Sequence, residues 1–229
     1  MDDLTFDLNQ TPLRQVNQFL HDNLQQYAGQ PVRIFHPNGA HNIAVGVNAP
    51  IEIDIFGHTG YYTAGMNQLA NITIHGNAGP GVAENMMSGR VHVKGFASVS
   101  AGASAHGGLL IIDGDASLRC GISLKGADIV VGGNVGSFSA FMAQAGRMVI
   151  CGNTGDALGD SLYEAVIYVR GTIKSLGADA QVEPMADQDY EAVNELLTKA
   201  DFTFDPNEFQ RIASAKQLYH WNADANQEY

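Results

Sequence analysis

The stretch NITIHGNAGPG, residues 71–81, carries the pattern that decides the fold. A β-branched run from Ile72 to Ile74 enters a turn that contains Gly76 and Gly79. A strand that leads into a glycine-rich turn is typical of a phosphate-binding loop, and it is also typical of one coil in a repeat protein. The rest of the sequence distinguishes these two interpretations.

Gly76 belongs to a series of seven glycines spaced 19 residues apart. Two and four residues before each glycine the side chains are apolar, which is the alternation of a strand with one buried face. Seven residues after each glycine the sequence holds only alanine or glycine, which indicates a crowded place where backbones approach closely. The seven glycines are Gly57, Gly76, Gly95, Gly114, Gly133, Gly152 and Gly171.

The regular spacing favours a structural role for these turns, because a phosphate-binding loop occurs once, beside its ligand. A segment of 19 residues is too short for a domain but suffices for one coil of a solenoid, whose strand edges are satisfied by the next coil. The sequence therefore predicts an all-β protein, a right-handed parallel β-helix of about seven 19-residue coils with N- and C-terminal helical flanks. Asparagine or aspartate follows the glycine in four coils and suits a repeated corner, whereas His58, Phe96 and Thr172 interrupt this column.

The flanks carry helical patterns. Residues 11–28 predict one helix, residues 190–197 predict a second, and Asp205 with the following proline begins a predicted third that carries Phe209 and Ile212. Such flanks either cap the column or dock a partner. The expected segments are a strand and helix cap over 1–45, the β-helix over 46–180 and a helical C-terminal tail over 181–229.

Composition excludes several classes of function. Acidic residues outnumber basic ones 24 to 12, and the formal charge of −12 disfavours nucleic acid and anionic membranes as partners. The N-terminus has no basic and apolar pattern of a signal peptide, and no apolar run approaches transmembrane length. With only two cysteines, Cys120 and Cys151, the sequence predicts a reduced, cytoplasmic protein.

The residue types that commonly carry chemistry form no recognisable site. His75 and His92 point outwards on successive coils but lie two residues out of register, which is too far apart for one metal ion, so both are interpreted as surface histidines. Asp113 and Asp115 are interpreted as a solvated corner pair. The cysteines lack the spacing of a metal site, and the sequence leaves open the alternative of a catalytic Cys/His pair. We therefore predict no catalytic, cofactor-binding or metal-binding residue on this chain.

An apolar stripe interrupts the outward-facing positions. Ile111, Val130 and Val149 lie three residues before the glycine in successive coils, with Tyr168 beyond them. Aligned apolar side chains of this kind are normally shielded from water. The sequence leaves open whether the C-terminal tail or another subunit covers them.

The coils also resemble a known family. The segments IHGNAG (74–79), VGGNVG (131–136) and ICGNTG (150–155) resemble the G-X-G-X-G β-helix at the C-terminal end of the glutamate synthase large subunit. The same coil recurs in the C subunit of formylmethanofuran dehydrogenase. The flanks TFDLNQTPLRQVNQFL (5–20) and SAKQLYHWNADANQEY (214–229) are similar to those of a stand-alone member, the middle subunit of N-methylglutamate synthase, also called methylamine–glutamate N-methyltransferase.

This resemblance implies a non-catalytic structural subunit in an enzyme that converts methylamine and L-glutamate to N-methyl-L-glutamate and ammonia. It implies two partners, a glutamine-amidotransferase-like subunit and a synthase-like subunit that holds FMN and an iron–sulfur cluster, and it leaves a higher-order oligomer open. No cofactor is expected on this chain. The alternatives are a scaffold subunit of the formylmethanofuran dehydrogenase type and a self-sufficient β-helix enzyme acting on carbohydrate, which would need clustered charged residues on one outward face.

Overall fold

The repeats stack as coils of one parallel β-helix in the computed structural model, which describes residues 4–22 and 30–216. Equivalent strands of successive coils pair in parallel and in register, so that Ile53 lies opposite Ile72 and Ile72 opposite Val91. The parallel β-helix predicted from the 19-residue spacing is confirmed. The elements are β1 Leu4–Asp7, α1 Leu13–Asp22, β2 Val32–Phe35, β3 Glu52–Phe56, β4 Asn71–Ile74, β5 Arg90–Val93, β6 Leu109–Ile112, β7 Lys125–Val131, β8 Ala145–Ile150, β9 Val166–Val169, β10 Ala180–Glu183, α2 Asp187–Ala200, a short 3-10 helix Pro206–Glu208 and β11 Gln210–Ser214.

The inward-facing residues of the strands form one core along the column. The apolar pairs identified in the sequence, such as Ile53 with Ile55 and Ile72 with Ile74, are at most 1% exposed. Burial of each aliphatic side chain of this size stabilises the folded state by roughly 1.5–3 kcal/mol relative to leaving it exposed to water. The hydrophobic core therefore supports stacking of every coil on the next.

The glycine series marks a line where the backbones of successive coils meet. The N–H of Gly133 donates to the carbonyl of Gly114 at 3.0 Å, and the N–H of Gly152 donates to the carbonyl of Gly133 at 2.9 Å. A Cβ atom built on Gly152 would lie 2.6 Å from both the carbonyl carbon and the oxygen of Gly133. Close approach of neighbouring coils therefore excludes a side chain here.

The alanine-or-glycine column has a different physical cause. Ala64, Ala83 and Ala140 have φ values of 57°, 56° and 56°, so the corner adopts the left-handed region in coil after coil. A Cβ atom built on Gly102 of this column would meet Cδ1 of Ile129 at 2.8 Å. The left-handed conformation favours glycine, and the packed interior, in which these three alanines are at most 1% exposed, restricts this position to small residues.

The asparagine column forms a ladder of side-chain hydrogen bonds. Oδ1 of Asn134 accepts from the N–H of Asn153 at 2.8 Å, and Oδ1 of Asn153 accepts from the N–H of Thr172 at 2.8 Å. His58, which interrupts the column in the sequence, performs the same task, because its Nδ1 accepts from the N–H of Asn77 at 3.0 Å. Each side chain thus satisfies a backbone donor of the following coil.

The N-terminal end of the column is capped. β1 and β2 extend the parallel sheet ahead of β3, and α1 buries Val16 and Leu20 in the common core. The side chain of Asn17 donates to the carbonyl of Asn42 and accepts from the N–H of Ala44, so it satisfies backbone groups of the first corner. The helix predicted over 11–28 is confirmed for Leu13–Asp22, and positions 23–28 lie outside the described residues.

The C-terminal end is closed by antiparallel pairing. The second predicted helix is confirmed as α2, whereas the predicted third helix is wrong: only Pro206–Glu208 is helical, and Ile212 lies in β11. β11 runs antiparallel between β9 and β10. The open edge of β9 explains the difference, because a strand satisfies its unpaired backbone groups and a helix does not.

Candidate functional site

One face of the sheet points away from the core and presents its residues in three columns. The middle column changes from polar to apolar between His92 on β5 and Ile111 on β6, which lie opposite each other in the ladder. We call the part formed by β2–β5 the open half and the part formed by β6–β9 the covered half. The two halves differ in what lies over them.

The covered half lies beneath α2. Ile111, Val130 and Val149 are completely buried, in one cluster with Leu196 and Leu197 of the helix. The sequence left two candidates for the cover, and the described structure identifies it as the C-terminal segment. The apolar stripe is therefore an internal packing surface.

Asp189 fixes the first turn of α2 on the covered half. It is 5% exposed, and its Oδ1 accepts two hydrogen bonds. The Tyr168 hydroxyl donates one at 2.8 Å, and Nε of Arg211 donates the other at 3.1 Å. Its second oxygen accepts from the N–H of Ala186 at 2.9 Å, at the N-terminal end of the helix. Burial, followed by the bond to Asp189, raises the pKa of Tyr168 well above its usual range. The phenol is therefore a hydrogen-bond donor at neutral pH.

A line of charged groups joins the last turns of α2 to the edge of the sheet. Arg147 donates to both carboxylate oxygens of Asp128 at 2.8 and 2.7 Å and to Glu195 at 3.1 Å. Lys199 in turn contacts the other oxygen of Glu195 at 2.5 Å. These groups are partly exposed, so each pair contributes only ~0–1 kcal/mol, but together they position the helix end.

The open half carries a stack of three rings from consecutive strands. The rings of Phe35 and Phe56 lie 4.7 Å apart, and those of Phe56 and His75 lie 4.5 Å apart, with planes within 9° of parallel. His75 also contacts Oδ1 of Asp54 at 2.6 Å. His75 therefore serves as a stacking and hydrogen-bonding residue at the surface.

His92 is the exception to the interpretation of surface histidines. Its side chain is 4% exposed, so the expectation of a surface residue is wrong for this position. Nδ1 lies 3.1 Å from a guanidinium nitrogen of Arg90, and Nε2 lies 2.6 Å from Oδ1 of Asp113. The reason for its burial is its place at the border of the two halves, in register with the buried Ile111.

The partners of His92 determine its protonation. Arg90 can only donate, so Nδ1 accepts and the ring proton sits on Nε2, from which it is donated to Asp113. Burial lowers the pKa of His92 more than Asp113 raises it, and Lys94 and Arg90 lower it further. The result is a neutral imidazole that links the Asp113 carboxylate to the Arg90 guanidinium.

Arg90 lines a groove of about 600 Å³ between the last turn of α2 and the beginnings of the strands. The floor of this groove, which we call the glycine groove, is formed by Gly89, Gly108 and Gly126. A Cβ atom on any of them would lie 2.5–2.6 Å from a backbone carbonyl oxygen, so no side chain can fill the floor. The groove is therefore a permanent feature of the coil geometry.

The polar rim of the glycine groove combines both charges. Arg90, Lys199 and Asp128 line it. Arg90 could have been identified from the strand alternation, because it lies two residues before His92 on the same face. Lys199 could not, because its place depends on how α2 packs.

The other candidate residues are already occupied. Cys120 is buried in the main core and Cys151 lies under the α2 segment, and burial raises the pKa of each thiol to about 12. Asp115 accepts from the N–H and the side chain of Asn134, whereas Asp113 binds His92 and Lys94. The structure thus does not bring the two cysteines together, and both carboxylates serve as hydrogen-bond acceptors.

Another face of the column exposes large apolar side chains on three successive coils. Phe96, Leu118 and Phe138 are 53%, 49% and 42% exposed. Phe96 borders a groove of about 530 Å³ lined mainly by small residues such as Ser98 and Ser117. Clustered exposed apolar residues are typical of a surface that meets another molecule.

Over 4–22 and 30–216, none of the helices has the length and apolar character needed to cross a membrane. In the same part of the chain, no three His, Cys, Asp or Glu side chains are grouped as they would be around a metal ion.

Comparison with known proteins gives one extensive similarity. The chain is 53% identical over 220 residues to Protein GlxC of Rhizobium meliloti (strain 1021). The aligned region covers 95% of this chain and 96% of that protein, so the β-helix and both flanks are included. No family model matches the chain.

Proposed function

The chain belongs to the same family as Protein GlxC, and from this premise we propose that it is a non-catalytic structural subunit of a glutamate-synthase-like enzyme complex. The observation that carries the proposal is the uninterrupted column of glycine-containing coils, which resembles the β-helix of the glutamate synthase large subunit. In the finer form of the proposal, the complex is N-methylglutamate synthase. It converts methylamine and L-glutamate to N-methyl-L-glutamate and ammonia.

The geometry supports a structural role. Each coil is tied to its neighbours by backbone ladders, by the glycine and asparagine columns and by a continuous core. Such a column can hold two active sites on separate partners at a fixed separation, because each coil of a solenoid is fixed in position by the coils on either side of it. The coil pattern stops within the described chain at both ends, at α1 and at the antiparallel strands β11 and β10, which favours lateral contacts with partners over continued stacking of coils.

The chemistry of the side chains supports the same role. The buried thiols are protonated at neutral pH, and the buried histidine is held between an arginine and an aspartate. The proposal therefore assigns the reaction to partners: a glutamine-amidotransferase-like subunit and a synthase-like subunit with FMN and an iron–sulfur cluster. This chain contributes their relative placement.

The exposed apolar residues offer a surface for one of these partners. Phe96, Leu118 and Phe138 lie on adjacent coils, and each is about half exposed. Aromatic and aliphatic anchors beside small residues resemble the centre of a protein–protein interface. We expect the substitution Leu118→Asp to weaken partner binding, whereas Arg14→Gln, at an exposed position on α1, leaves it unchanged.

The test is affinity capture of the tagged full-length chain from its natural host in buffer of low salt. The proposal predicts two further polypeptides in the eluate, with flavin absorbance and formation of N-methyl-L-glutamate from methylamine and L-glutamate. Capture of the chain alone would refute the structural role. Capture of the partners without methylamine-dependent activity would refute only the finer assignment.

A further inference from the structure

We propose that the glycine groove is a binding site for the carboxylate group of a small organic acid, with Arg90 as the residue that contacts the anion. This inference does not depend on the proposed function, because it rests on the groove, its donors and its charge. A column that served only as a spacer would have no need of this arrangement.

Arg90 is held in place by its contact with His92. One guanidinium nitrogen donates to Nδ1 of His92, which is 4% exposed and is itself bonded to Asp113. Arg90 and Asp113 are only partly buried, but both are bonded to the buried His92 ring, and such a chain of hydrogen bonds restricts the orientation of its members. In the next strands the positions equivalent to His92 are the apolar Ile111 and Val130, so stacking itself does not require the polar chain.

The glycine groove also offers hydrogen-bond donors to a ligand. Arg90 has no carboxylate within ion-pair distance in the described part of the chain, so the remaining donors of its planar fork are available. The backbone N–H groups of Gly89 and Gly108 on the groove floor likewise have no acceptor among the residues that the structure describes. A guanidinium beside free backbone N–H groups is a typical environment for an anion.

The charge and shape of the groove favour a carboxylate over other anions. On the rim, Lys199 is compensated by Glu195, and Asp128 is compensated by Arg147, so Arg90 supplies the one uncompensated charge among these groups. A single uncompensated positive charge suits a monoanion better than a dianion such as phosphate. A planar carboxylate also matches the guanidinium fork with two parallel hydrogen bonds. Leu109 supplies an apolar wall for the carbon chain of the acid.

The experiment is an NMR titration of the full-length chain, with the amide signals of Gly89 and Gly108 as reporters. The probes are propionate, its neutral analogue propionamide and inorganic phosphate. We expect propionate to shift both signals in a saturable manner, propionamide to have no effect, and phosphate to bind about tenfold more weakly or less. The substitution Arg90→Gln should weaken propionate binding about tenfold or more, because it removes the charge-assisted hydrogen bonds.

Two further variants keep the result decisive. Arg119→Gln removes an exposed arginine outside the groove and should leave the affinity unchanged. Arg90→Lys keeps the charge without the planar fork and should bind at an intermediate strength, which also covers the case in which Arg90→Gln does not fold. Absence of saturable shifts with propionate would overturn the proposal. Equal affinities for phosphate and propionate would also overturn it, as would a propionate affinity that the substitution Arg90→Gln leaves unchanged.

Discussion

The substitution Gly152→Ala tests the explanation given for the glycine series. The new Cβ atom would lie 2.6 Å from the carbonyl carbon and oxygen of Gly133 and 2.8 Å from the nitrogen of Asn134. An ordinary contact begins at about 3.4 Å, so two hydrogen-bonded backbones would have to separate by about 0.8 Å. The contacted atoms belong to the ladder and cannot turn away as a side chain would.

The expected cost follows from these distances. Overpacking costs ~1–3 kcal/mol, and the upper part of this range applies because backbone atoms must move. Replacing glycine by alanine also stabilises the protein by ~0.4–1 kcal/mol, because it restricts the unfolded chain. The free energy of unfolding should therefore fall by about 2 kcal/mol in total. For a chain of this size, such a loss lowers the melting temperature by roughly 4–8 °C.

The assay is thermal and urea unfolding followed by circular dichroism, with two comparisons. Gly114→Ala meets its nearest atom, the oxygen of Gly95, at 3.0 Å and should lose less stability than Gly152→Ala. Gly39→Ala meets nothing within 4 Å, so it reports only the cost of a side chain at its φ of 74°. A melting temperature of Gly152→Ala equal to that of the native chain, or a larger loss at Gly114, would refute the crowding argument.

Three further predictions concern α2 and the open half. Leu196→Ala should lower the free energy of unfolding by about 2–4 kcal/mol in urea titrations, because Leu196 is fully buried between α2 and the covered half; the exposed Asn194→Ala should cost far less. Tyr168→Phe should cost about 1–2 kcal/mol because the buried Asp189 loses a donor, and an equal cost in an Asp189→Asn background would contradict this coupling. The folded pKa of His92 is lowered from 6.5, so its contribution is fully present above about pH 6.5 and declines below it as the unfolded chain takes up a proton. Relative to His92→Gln, in which Arg90, Lys94 and Asp113 are retained, the native chain should lose stability as the pH falls below about 6.5, and parallel pH profiles would contradict the assignment.

The sequence predicts those features that every coil repeats. The buried pairs such as Ile72 and Ile74, the glycine series and the small-residue corner each recur with the same spacing, so a local requirement is visible seven times. The crowding that the sequence indicates for Ala64, Ala83 and Ala140 agrees with their burial, whereas the left-handed φ of this corner is not evident from alanine and glycine alone.

Features that occur only once along the chain are harder to predict from the sequence. The third helix was predicted from a proline and two apolar residues, but the unpaired edge of β9 favours a strand at Ile212. The burial of His92 depends on its place beside the covered half, which the alternation of β5 does not reveal. The glycine groove requires Lys199 to approach Gly108 through the packing of α2, a contact between positions far apart in the chain.

The central claim is that this column holds catalytic partners together, and the most direct measurement is the mass of the assembled complex. The two partner polypeptides are to be purified and mixed with and without this chain of 24.4 kDa, and each mixture measured by native mass spectrometry. The account predicts one particle that contains all three polypeptides, and separate partners when this chain is omitted. A stable particle of the two partners that forms equally well without the chain would contradict it.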